Sequence, residues 1–127
     1  MNTLRNAAAI PAPGGSYSHA VEVPATARTL YVAGQIALAA DGGIPEGIEA
    51  QTEMVWSNLE AILADAGMGV SDLVKINTYV TSAELFAGMA KVRAKHLGTA
   101  RPASTAVIVS ALALPKLLVE LEAVAAK

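Results

Sequence analysis

The segment Leu118-Val119-Glu120-Leu121-Glu122-Ala123-Val124-Ala125 sets the tightest constraint on how this chain can fold. Residues 117–125 read as a strand, and a strand sends alternate side chains to opposite faces. Both faces of this one are apolar, except that Glu120 and Glu122 share a face. Such a strand needs cover on both sides. The rest of the chain offers two amphipathic helices, which can cover only one face of a sheet. The bare face must meet something else, and self-association is the simplest answer. It would put the two carboxylates near a subunit boundary.

The other elements follow from periodicity and turn chemistry. Residues 1–15 read as a loosely held arm ending in a turn, 17–23 as a strand, and 29–33 as a second strand. The connection Pro24-Ala25-Thr26-Ala27 is short, so these two strands are expected to pair antiparallel. A helix is expected over 46–65, where Ile48, Val55, Leu59, Ile62 and Ala66 recur at helical spacing, with Pro45 near its start and Gly67 past its end. Trp56 and Met54 on that helix read as packing residues. Residues 72–81 form a third strand, with Val74, Ile76, Thr78 and Val80 on one face and Lys75, Asn77 and Tyr79 on the other. A second helix spans 82–97, with Thr81 and Glu84 at capping-box spacing and Gly98 as its stop. A strand over 105–110 precedes the last one, with Pro102 at its entrance. The order is β-β-α-β-α-β-β, an α+β class with a mixed sheet and two helices on one face.

Composition supports association. The chain has 127 residues, enough for one domain over 1–127, yet 54% are apolar and the mean hydropathy is +0.45. No apolar run reaches the roughly 18 residues of a membrane span, so hidden subunit faces explain that excess better than a membrane does. With 9 Lys/Arg against 11 Asp/Glu and no basic block, nothing points to nucleic acid. Cysteine is absent, which excludes disulfides and thiolate chemistry. His19 and His96 are the only histidines, too few for a preformed zinc site, and neither has an acidic orienter nearby in sequence. The N-terminus has no apolar signal region, so a cytoplasmic setting is the default.

Several pieces, in this order and spacing, resemble the RidA/YjgF/YER057c family. They are Gly15-Ser16-Tyr17, Gly34-Gln35-Ile36, Gln51 with Asn58-Leu59, Ala66-Gly67, Asp72-Leu73-Val74-Lys75, Pro102-Ala103 and Glu120-Leu121-Glu122-Ala123-Val124-Ala125. The resemblance implies a chorismate-mutase-like fold and a homotrimer with ligand pockets in the clefts between subunits. It implies hydrolysis of small reactive enamines or imines, such as 2-aminoacrylate, to a carbonyl product and ammonia, without metal or organic cofactor. Some family members have been called endoribonucleases or translation inhibitors.

The chain departs from the family pattern at several polar positions. Deaminating members read Pro-Ala-Arg-Ser where this chain has Pro102-Ala103-Ser104-Thr105, and that arginine holds the substrate carboxylate. Ala33 stands where the family has serine, Ala106 where it often has cysteine, and Met89 or Ala90 near an expected asparagine. Tyr17 and Glu120 survive. The resemblance therefore assigns catalysis to Glu120 and Tyr17. Glu120 would position water or shuttle a proton, its pKa raised by burial near a second carboxylate. Pairing of Glu120 with Lys75 or a backbone amide is the structural alternative. Substrate contacts fall to Arg101, Ser104, Thr105 and Ala33, with Arg101 suited to an acidic ligand, so the expected partner is a small molecule bearing a carboxylate. A divergent subgroup follows, and it leaves two further readings open: a non-catalytic binder or sensor on the same scaffold, and a different hydrolase or tautomerase.

Overall fold

The computed structural model of the protein describes residues 1–127. Its elements are β1 (Thr3–Arg5), β2 (Ala20–Glu22), β3 (Thr29–Ile36), α1 (Ile48–Asp65), β4 (Leu73–Val80), α2 (Phe86–Leu97), β5 (Ala103–Ile108) and β6 (Val119–Ala126). The expected α+β class and element order hold, with one extra strand at the N-terminus.

The main sheet runs β3-β6-β4-β5. β6 is antiparallel to both neighbours and β5 is parallel to β4. Parallel neighbours need a crossover, and α2 supplies it. The apolar β6 lies inside the sheet, where its backbone is paired on both edges. Val119, Leu121, Ala123 and Ala125 face the helices and are buried. They pack with Ile76 and Val80 of β4 against Val55, Trp56, Leu59 and Leu63 of α1.

Three local expectations fail. The strands before and after Pro24 do not pair with each other: β2 pairs with β1 in a separate two-stranded sheet, and β3 pairs with β6. β2 is short and largely exposed, so a hairpin with it would bury little, whereas β6 offers eight residues with a fully apolar face. The N-terminal arm is consequently tied down rather than loose. Asn2 Nδ2 donates to the Ala126 carbonyl at 2.9 Å, and His19 takes the Ala7 amide on Nδ1 at 3.1 Å while its Nε2 lies 2.9 Å from the Pro11 carbonyl. Both ring nitrogens are thus spent on the arm. The Thr81/Glu84 capping box does not form either, because residues 83–85 make a 3-10 turn and α2 starts only at Phe86, with no side-chain cap.

The stops behave as read. Gly67 and Gly98 follow the two helices at φ 69° and 55°, a region glycine enters at little cost. Basic side chains finish the job. Arg28 Nη2 and Lys127 Nζ donate to the Ala66 and Gly67 carbonyls, at 3.2 and 3.0 Å, beyond the end of α1. Arg101 Nη1 does the same beyond α2, donating to the Gly98 and Ala100 carbonyls at 2.7 and 2.8 Å. No helix is long and apolar enough to cross a membrane.

Candidate active site

The helices leave one face of the sheet uncovered. Register places Tyr31 of β3, Glu120, Glu122 and Val124 of β6, Lys75, Asn77 and Tyr79 of β4, and Thr105 and Val107 of β5 on it. Tyr31 is 80% exposed and Val107 42% on this face.

Glu120 and Glu122 look equivalent in sequence, and their surroundings separate them. Glu122 is engaged: the Tyr79 hydroxyl donates to its Oε1, and Asn77 Nδ2 donates to the same oxygen at 3.3 Å. That hydrogen bond to Glu122, with desolvation and the two carboxylate charges, holds the Tyr79 phenol above its ordinary pKa of 10.0. Glu120 stands opposite Tyr79 on one side and Ile36 on the other, yet forms no hydrogen bond or ion pair within the protomer. Lys75, its proposed structural partner, donates to Thr105 Oγ1 at 2.7 Å instead. The Glu120 carboxylate bends over β3 and lies against Gly34, in the space a side chain there would take. β3 carries one extra residue between Val32 and Gln35, and this bulge contains Ala33 and Gly34.

Two polar residues of α1 hold this end of the sheet in register. Gln51 is 2% exposed; its Nε2 donates to the Pro45 and Lys116 carbonyls at 3.0 and 2.9 Å, and its Oε1 accepts the Leu118 amide at 2.8 Å. Asn58 Nδ2 donates to the carbonyl of Ile36, the residue facing Glu120, at 3.3 Å. The motif residues Gln51 and Asn58 therefore act as scaffold for the strands that carry Glu120 and Gly34.

The remaining candidates lie elsewhere. Ser18 bridges to Ala103, and its amide donates to the Pro102 carbonyl at 3.2 Å, so Tyr17 and Arg101 sit at the start of β5. The Ser18 hydroxyl beside them is buried without a partner in the protomer. Ala103 faces Lys75, whereas Glu120 faces Tyr79. Four strand residues separate these positions, roughly 13 Å. Ser104 and Thr105 point to opposite faces: Ser104 is in register with the buried Ile76, Thr105 with Asn77 on the open side. Met89, near the expected asparagine, is a core residue at 1% exposure. One protomer thus holds Ala33, Gly34 and Glu120 at one end of the sheet, and Tyr17 and Arg101 at the other.

The absence of an acidic orienter for histidine is corrected by the fold. His96 of α2 lies between Glu60 and Glu53 of α1, with Nδ1 2.6 Å from one carboxylate and Nε2 2.7 Å from the other. Helical spacing of 53, 56 and 60 brings both carboxylates and Trp56 to the face that meets α2. No serine completes a triad there. Sequence reading also missed the steric role of Gly34: it stood out only as part of the Gly34-Gln35-Ile36 motif, and the strand was read as ending at residue 33, whereas β3 runs on to Ile36.

Two helices packed on one face of a mixed four-stranded sheet, with the other face left open, define the class: small α+β proteins of a single helix layer on a single sheet. The chain belongs to the RidA/YjgF/YER057c/UK114 family: the family model described as Endoribonuclease L-PSP matches residues 7–127. A RutC family protein of Pyrococcus abyssi is 39% identical over 120 residues, 92% of this chain and 91% of that one. A Rid-family protein of Yersinia pestis superposes with a TM-score of 0.86 at 37% identity, covering 99% and 98% of the two chains. RidA from a Psychrobacter species gives 0.73 at 36% identity, covering 91% of each. Membership supports RidA-type chemistry on reactive intermediates at the level of the family.

Proposed function

We propose that the protein is a homotrimeric, cytoplasmic deaminase of small enamine or imine metabolites, with each site assembled from two subunits. The observation that carries this reading is the unpartnered Glu120 carboxylate on an uncovered sheet face, beside a second carboxylate that is already engaged. Tyr17 and Arg101 stand at the far end of the same sheet, so a copy docked on the open face is the way to bring the two sets together.

In the reaction the enamine tautomerises to an imine, whose carbon is then attacked by water. Glu120 takes a proton from that water and returns it to nitrogen, and collapse of the carbinolamine releases ammonia and leaves the carbonyl. Tyr17 contributes a hydroxyl to the substrate. Arg101 caps α2 through Nη1 alone, so its other nitrogens supply donors for a substrate carboxylate. Ala33, Ser104 and Thr105 complete the lining, and the residues demand no metal or organic cofactor. Against a ribonuclease, the open face carries one lysine beside two glutamates, a poor surface for phosphate. Ser104 in place of the family's arginine keeps a second reading in view, a binder without turnover.

The test is ammonia release from enzymatically generated 2-iminopropionate. Wild type should turn it over, and Glu120→Ala and Tyr17→Phe should each be inactive. Mixing these two inactive variants, after dissociation and reassembly, should restore part of the activity, because a mixed oligomer contains sites with both groups intact. An inactive wild type, still trimeric, rejects this substrate class; no recovery on mixing rejects the shared site.

A further inference from the structure

We infer that Gly34 is a positioning residue for Glu120: the missing side chain is the notch that receives the carboxylate and aims it. The inference rests on the reading of Glu120 as the proton-shuttling group. A Cβ built on Gly34 would meet the Glu120 carboxylate head-on, with Oε2 inside contact distance, Cδ at 3.0 Å and Cγ at 3.4 Å. The three atoms nearest to it all belong to Glu120.

The surroundings explain why the carboxylate rests there. Ile36 stands directly across from Glu120 on β3 and Tyr79 across from it on β4, so both flanks carry side chains. The Tyr79 hydroxyl is committed to Glu122. Gly34 leaves a gap that the carboxylate fills. The bulge between Val32 and Gln35 places that gap beside β6, and the Asn58 hydrogen bond to Ile36 fixes the strand next to it.

Backbone conformation does not require glycine here, since Gly34 is not among the residues with positive φ. Alanine therefore fits the strand, and the flexible end of Glu120 is what must give. Gly34→Ala separates positioning from folding: the strand keeps its pairing while the carboxylate swings away from its aim.

The experiment compares wild type, Gly34→Ala, Glu120→Ala and the double variant by steady-state kinetics on 2-iminopropionate, together with a crystal structure of Gly34→Ala. In that structure the carboxylate should be displaced from its wild-type position with β3 unchanged. A misplacement of about 1 Å should lower kcat about 100-fold, with KM and melting temperature close to wild type. Adding Gly34→Ala to Glu120→Ala should change nothing, because the group it aims is gone. An unmoved carboxylate overturns the inference whatever the substrate proves to be. So does full activity in Gly34→Ala when Glu120→Ala is inactive. Full activity in Glu120→Ala overturns the proposed reaction role of Glu120 instead, and the positioning inference falls with it.

Discussion

The imidazole of His96 stacks on the indole of Trp56, ring centroids 5.6 Å apart and planes 20° from parallel. The stack turns the ring edge so that each nitrogen meets a carboxylate, Glu60 on one side and Glu53 on the other. Two acceptors ask for two N–H donors, so the geometry fits the imidazolium. Burial pushes the His96 pKa down, but the hydrogen bonds and charges of Glu60 and Glu53 outweigh it and leave the value raised above 6.5. Glu53, hydrogen-bonded to Lys95 and His96, is held below 4.5.

The first prediction is a pH dependence of stability. A raised histidine value gives stability that is complete below pH 6.5 and lost as pH rises through the folded value. A lowered glutamate value gives stability that is present above pH 4.5 and lost as pH falls through its folded value. The α1–α2 clamp is therefore strongest between these limits. Urea unfolding at a series of pH values should show the alkaline decline in wild type and a flatter profile in His96→Gln.

Gln51→Leu should cost about 2 kcal/mol, because the Pro45 and Lys116 carbonyls and the Leu118 amide lose their buried partner at once. Chemical denaturation measures this. The loss should exceed that of Asn58→Ala, which removes a single, longer hydrogen bond.

Glu122→Gln should bring the Tyr79 phenol back towards 10.0, since the hydrogen bond to the Glu122 carboxylate is the main cause of its rise. Ultraviolet titration of phenolate follows it. A Tyr79→Phe variant identifies which transition belongs to this tyrosine.

Tyr31→Glu should prevent assembly. It puts a charge on an 80% exposed aromatic at the uncovered face while leaving the helix-side core untouched. Size-exclusion chromatography with light scattering should show a trimer for wild type and a monomer for the variant, with secondary structure retained in circular dichroism.

Much of the fold was legible because its signals are local. α1 announced itself by apolar spacing and Gly67, and α2 by its stop at Gly98, although α2 begins at Phe86 and not at the expected 82. β4 alternated as read, although a register shift between Leu73 and Lys75 makes Val74 the extra residue and returns Leu73 to the buried face. The pairing of β3 was not legible. Its partner, β6, lies more than eighty residues away, and the short link through Pro24 suggested a nearer one.

The residues of the site were visible in the chain, but their arrangement was not. Sequence by itself determined the alternation that puts Glu120 and Glu122 on one face, the shortage of helices to cover it, and the family that the spaced motifs define. Tertiary structure decided which glutamate is free, because Tyr79 and Asn77 come from another strand and choose Glu122. It likewise decided that Gly34 lies beneath Glu120, and that His96 finds two carboxylates on a different helix. Periodicity states which way a side chain points along its own strand or helix. What it meets there is settled by long-range register, which no local pattern encodes.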